Sequence, residues 1–175
     1  MGAKFVEYVS VLPPDRVLAI HVPFPDISDR SCVHITLDRW GCFGRSPIYT
    51  VTISGDGAVV YNGGEYTAVR GVQHSQISPD EVSALIDKFR AADFFSLYAE
   101  YRANVTDNPT YFVTFTAAGK KMKVTDYIGL QVGMPYAVAQ LENEIDFVSG
   151  SARWVTAAPI KSTKSSPSGS SPAPK

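Results

Sequence analysis

Apolar and polar residues alternate with period two in several short stretches of this chain, and tight turn signals join those stretches in pairs. Cys32 to Asp38 places Val33, Ile35 and Leu37 on one side and Cys32, His34, Thr36 and Asp38 on the other, the pattern of a half-buried strand. Tyr49, Val51 and Ile53 alternate in the same way with Thr50, Thr52 and Ser54, and Asp56-Gly57, a two-residue hairpin signal, turns the chain into a partner strand, Ala58 to Tyr61. Asn62-Gly63-Gly64 marks another turn, after which Tyr66 to Gln76 reads as one more strand. Farther on, Tyr111, Val113 and Phe115 alternate, Ala118-Gly119-Lys120 turns the chain, and Met122 and Val124 lead to Thr125-Asp126-Tyr127 as a second hairpin. Such short connections leave no length for a crossover, so the pairing they predict is antiparallel.

Two helices interrupt the strands. Ser78-Pro79-Asp80-Glu81 has the residues of a capping box with proline at the first helical position, and Val82, Leu85, Ile86 and Phe89 follow at helical spacing. The spacing predicts a helix over 79–93. Pro135 opens a second over 135–149, with Val138, Leu141, Ile145 and Val148 at intervals of three and four and with Glu142, Glu144 and Asp146 toward water. The polar stretch from Glu100 to Pro109 reads as a loop. The expected fold is α+β, an antiparallel β-sheet of five or six strands with two helices packed on one face. Its core should contain Ile35, Leu37, Val51, Ile53, Leu85, Phe89, Val113, Leu141 and Ile145.

A chain of 175 residues holds one such domain. The expected boundaries are an N-terminal extension over 1–30, the single α+β domain over 31–150, and a disordered basic Ser/Pro-rich tail or linker over 151–175. That last stretch carries Arg153, Lys161, Lys164 and Lys175 and no acidic residue, whereas residues 1–150 hold twelve Lys and Arg against seventeen Asp and Glu. Its Ser, Pro, Lys, Gly and Ala bury too little apolar surface to offset the entropy of ordering. No run of about 18 apolar residues marks a membrane span, and residues 1–22 lack the unbroken apolar run of an export signal, which leaves the compartment open and favours the cytoplasm slightly. With a net charge of -1, nucleic acid and anionic lipid are not expected partners. A protein or a neighbouring domain is.

Phosphate-cradling G-x-x-x-x-G-K-[ST], zinc-binding H-E-x-x-H and the nucleophile elbow G-x-S-x-G do not occur. His21, His34 and His74 share no short spacing, and two cysteines fall short of a four-cysteine zinc site, so neither a metal nor a cofactor is expected. The segment richest in information runs Ile35-Thr36-Leu37-Asp38-Arg39-Trp40-Gly41-Cys42-Phe43-Gly44-Arg45-Ser46-Pro47-Ile48-Tyr49. Together with Gly55-Asp56-Gly57 and Tyr61 it resembles an uncharacterised bacterial domain family whose members carry a Gly-Cys-x-Gly-x-Cys-Pro-x-Tyr loop. Ser78 to Glu81, Phe94 to Leu97, Thr106 to Thr110 and Val124 to Tyr127 look like later landmarks of the same family, and the resemblance covers residues 31 to 148. It implies a domain without an established activity. Ser46 stands where the family has its second cysteine, so a disulfide or two-thiolate grip between positions 42 and 46 is lost in this chain.

Two functions fit these residues. One is a non-enzymatic binding or accessory module that contacts protein through the Trp40 to Pro47 loop, with Arg39, Trp40, Phe43, Arg45 and Tyr49 as the binding residues. The other is a small hydrolase or thiol enzyme. In it Cys42 would be a nucleophile whose thiol Arg39 and Arg45 make more acidic, or Asp107 and Asp126 would form an acid and base pair. Each residue also has a structural use: Cys42 as a small buried turn residue, Asp107 closing a turn before Asn108-Pro109, and Asp126 capping the chain as it leaves the sheet. The missing catalytic motifs favour the module.

Overall fold

The computed structural model describes residues 21–42 and 46–156. Phe43 and Arg45, residues 1–20 and the tail from 157 onward lie outside the described residues. Among the described residues seven strands form one sheet: β1 (His34–Trp40), β2 (Tyr49–Ser54), β3 (Ala58–Gly63), β4 (Gly71–Gln76), β5 (Glu100–Arg102), β6 (Thr110–Ala117) and β7 (Lys120–Tyr127). Their order across the sheet is β4-β3-β2-β1-β6-β7-β5. The same described residues hold three α-helices, α1 (Pro79–Ala91), α2 (Tyr136–Ser149) and α3 (Ala152–Val155).

The α+β class is as expected, but the sheet is larger than five or six strands and it is mixed. Every pairing is antiparallel except that of β5 with β7, where Glu100 to Arg102 run parallel to Thr125 to Tyr127. The reason is topological: β7 lies between β5 and β6, and both neighbours of β6 in sequence run opposite to it. Three residues carry no visible alternation, so a polar stretch that reads as loop supplies an edge strand. The helix count also differs. α3 lies within the first residues of the stretch expected as a disordered tail, because its Trp154 packs on Tyr61 with ring centroids 5.0 Å apart.

Turn chemistry sets the hairpins. Ala118 and Gly119 both have positive φ, 47° and 73°, which matches the right-handed twist of β6 and β7. The β2–β3 connection takes three residues where two were expected. Gly57 closes it at φ 86°, and a Cβ there would lie 2.3 Å from the Ile77 carbonyl oxygen, so backbone angle and space both require glycine. The capping box of α1 forms as the sequence predicts: Ser78 Oγ accepts from the Glu81 amide at 3.2 Å, and the Ser78 amide donates to the Glu81 carboxylate at 2.7 Å.

Both long helices lie on the sheet face that carries Ile35, Leu37, Val51, Ile53, Val113 and Phe115, and all nine expected core residues are buried. Phe89 of α1 is the centre of an aromatic group, 4.8 Å from the rings of Phe94 and Phe115. Phe24, in the stretch before the sheet, packs against Phe95 and Phe115 at 5.5 and 5.2 Å. Replacing Phe89 by Ala should lower unfolding stability by about 3–5 kcal/mol, because the cavity loses contacts on every side. Ser78→Ala should cost only about 1 kcal/mol through the lost cap. Urea titration of both variants checks the ranking.

Candidate functional site

In β1 the core-facing positions 35 and 37 are followed in phase by 39, so the strand carries a charged residue into the helix-covered side. The Arg39 side chain is 14% exposed there. A buried guanidinium needs a counter-ion with good geometry, and Asp146 of α2 supplies it: Nε and Nη2 both donate to Oδ2 at 2.8 Å. Tyr49 OH donates to the same carboxylate at 2.9 Å, and Ser151 Oγ donates to Oδ1 at 2.7 Å. The guanidinium also lies over the Tyr111 ring, 4.3 Å from its centroid. Burial works against the Arg39 charge, but Asp146, and behind it Tyr49 and Glu142, hold its pKa above the ordinary value. Burial, and then the Asp146 charge, push the Tyr49 phenol up, so it stays a donor.

One turn earlier on α2, Glu142 is buried at 4% exposure. Glu142 and Asp146 were expected in water; of the three acids only Glu144 takes a partner on the helix surface, Lys88 at 2.7 Å. Burial and then the nearby charge of Asp126 push the Glu142 carboxyl up to about 8, which favours its protonated form at neutral pH. Its Oε1 has no partner among the described residues. Asp126 Oδ1 in turn accepts from the Gly129 amide at 2.6 Å. The turn that brings this amide round places Ile128 at φ 54°, a left-handed conformation that a β-branched side chain rarely adopts. A Cβ on Gly129 would lie 2.8 Å from Tyr101 Cβ and 2.9 Å from Asp126 Oδ1.

Two recesses flank Tyr111. One, of about 240 Å³, is lined by Arg39, Ser46, Pro47, Tyr49, Pro109, Tyr111 and Val155. The other, of about 200 Å³, is lined by Pro109, Tyr111, Asp126, Ile128, Gly129 and Leu130. A larger hollow of about 560 Å³ between α1 and α2 is bordered by Lys88, Leu141 and Glu144 and touches none of the cluster around Arg39. The charged and polar groups therefore gather at the Tyr111 end of the sheet, where a saturated ion pair stands near the carboxyl groups of Glu142 and Asp126.

The residues singled out from the sequence separate between two faces. Arg39 and Tyr49 belong to the helix side. Trp40, the next residue in β1, points to the opposite face, where it is 60% exposed and edge-on to Phe112 at 6.1 Å. Phe43 and Arg45 lie outside the described residues. Cys42 is half-buried with Sγ 3.8 Å from Ser46 Oγ, so the two positions of the loop motif face each other. Asp107 is exposed at φ 59°, and among the described residues no hydrogen bond or ion pair joins it to Asp126. The bond Asp126 makes is the one it accepts from the Gly129 amide, and Glu142 carries the nearby carboxyl. No group of three or more His, Cys, Asp or Glu among the described residues is placed to hold a metal ion. One sequence signal pointed to the cluster: an arginine in phase with Ile35 and Leu37 demands a carboxylate on whatever element covers that face.

A family model described as a domain of unknown function, DUF6438, matches residues 33–149, and the chain belongs to that family. The match covers nearly the whole span over which the resemblance was expected. No curated protein matches the chain.

Glu142 gives a pH signature. Its pKa of about 8 in the folded chain exceeds its ordinary 4.5, so the folded state keeps a proton that the unfolded state releases. The stability tied to that proton is complete below about pH 4.5 and is lost as pH rises toward 8. Glu142→Gln keeps the shape and removes the titration. The variant should therefore match the wild type near pH 4.5 and gain on it by about 1 kcal/mol per pH unit up to pH 8. Denaturant titrations across that range check the slope.

Proposed function

We propose that this member of the DUF6438 family is a binding module that docks a protein partner or a neighbouring domain on the sheet face its helices leave uncovered, with Trp40 as the anchor. The observation that carries this reading is the exposure of Trp40 on a strand that is paired on both sides, with β2 and with β6. A tryptophan held against Phe112 by a rigid backbone offers contact area at little further loss of freedom, the property of an interface hot spot. Lys123 Nζ stands 3.9 Å from the Phe112 ring centroid on the same face and adds a charge beside the aromatic pair.

The loop from Trp40 to Pro47 leaves this anchor, so Phe43 and Arg45 extend the contact in this reading. Arg39 and Tyr49 act by tying the two stems of the loop to Asp146. A hydrolase has less to support it, since Cys42 rests against Ser46 and Asp126 is engaged by the Gly129 amide.

The test compares wild type, Trp40→Ala and Phe147→Ala, the last removing an exposed aromatic of α2, in affinity capture from cells of the source organism read by quantitative mass spectrometry. A partner should fall by about tenfold or more with Trp40→Ala and stay with Phe147→Ala, while the melting temperature of both stays near wild type. Capture that ignores Trp40, or that both variants reduce alike, contradicts the proposal.

A further inference from the structure

Charge is distributed unevenly on the face that carries Trp40. Across the sheet Phe112 pairs with Asp38 on one side and Thr125 on the other, Thr114 pairs with Lys123, and Thr116 pairs with Lys121. Paired residues and alternate residues of a strand share a face, so Lys121, Lys123 and Thr125 stand in a row beside Phe112 on the side the helices leave open. The strand carboxylates of this side are already engaged. Asp38 accepts from the Thr50 hydroxyl at 2.6 Å, and Glu100, which pairs with Thr125, accepts from Arg102 Nε at 2.6 Å. Lys121 and Lys123 are exposed, and among the described residues neither makes an ion pair. Lys123 rests on the Phe112 ring, a contact that leaves its charge available to a carboxylate.

We propose that the segment this face receives is an acidic, extended stretch of a partner protein, with an apolar residue on Trp40 and Phe112 and carboxylates on Lys123 and Lys121. The inference rests on the Trp40 docking face and names the chemistry of what docks there. Lys123 and Lys121 lie two residues apart on one strand, about 7 Å, which is also the spacing of alternate side chains in an extended segment. An apolar residue followed at alternate positions by two acidic ones therefore meets the aromatic pair and both ammonium groups in turn. Unpaired cations beside an apolar anchor set the orientation of a partner and select against a basic one. A nucleic acid fits this face less well, because two lysines among two carboxylates, on a chain of net charge -1, offer little to a phosphate backbone.

The experiment titrates acetyl-Leu-Gly-Glu-Gly-Glu-amide, its counterpart acetyl-Leu-Gly-Gln-Gly-Gln-amide, or octauridylate into the full chain at pH 7, and follows the Trp40 indole and the Lys121 and Lys123 amides by nitrogen–proton NMR. All three signals should move saturably with the acidic peptide, which should bind about tenfold or more tightly than the glutamine peptide. Lys121→Gln combined with Lys123→Gln should remove about tenfold in affinity, whereas Lys88→Gln, on α1, should leave it unchanged. Equal binding of the two peptides at Trp40 overturns the acidic partner and leaves the docking face standing. Binding of the acidic peptide that does not move the Trp40 indole contradicts the docking face itself, and the proposal falls with it. Tighter binding of octauridylate, or no saturable response to the acidic peptide, also overturns it.

Discussion

The ion pair between Arg39 and Asp146 is the contact on which the arrangement of the other parts depends. A guanidinium set in line with Ile35 and Leu37 has lost most of its water, and it is tolerable only where a carboxylate replaces that water with directed hydrogen bonds. Asp146 does so while accepting from Tyr49 and Ser151 as well, so one carboxylate joins β1, β2, α2 and the start of α3. That junction fixes where α2 lies along the sheet. It thereby places Glu142, one turn back, opposite Asp126. The same junction leads the chain through Ser151 into α3, where Trp154 covers Tyr61.

The sheet divides two kinds of chemistry. Its covered side holds the aromatic core and, at one end, the charged cluster with its recesses. Its uncovered side carries Thr36, Thr50 and Thr52, whose hydroxyls are engaged within the sheet: Thr36 with Thr52 at 3.3 Å, and Thr50 with Asp38 at 2.6 Å. Polar groups already bonded to one another compete weakly for a partner, which leaves Trp40 as the prominent contact feature near that end.

Local periodicity explains what could be read from the residues. Strands that alternate strictly, hairpin turns that need positive φ, and a capping box are each decided by neighbours a few residues away, so Val51, Leu85 or Val113 can be placed without knowing the fold. β5 could not, because three residues pair only after β7 has been inserted beside them. Glu142 and Asp146 were misplaced for a related reason: helical spacing gives the apolar stripe, but whether a carboxylate at its margin meets water is settled by an arginine 107 residues earlier in the chain. The grouping of Arg39 with Trp40 on one contact surface had the means of its own correction, since adjacent strand residues point to opposite faces.

A double-mutant cycle between Arg39→Met and Asp146→Leu, measured by urea unfolding at pH 7, tests the central claim most directly. Each single change should cost about 3 kcal/mol, because it strands a buried charge or its hydrogen-bond partners, while the pair together should recover at least about 2 kcal/mol of the summed loss. Single losses below about 0.5 kcal/mol that simply add would mean that the ion pair does not hold α2 to the sheet.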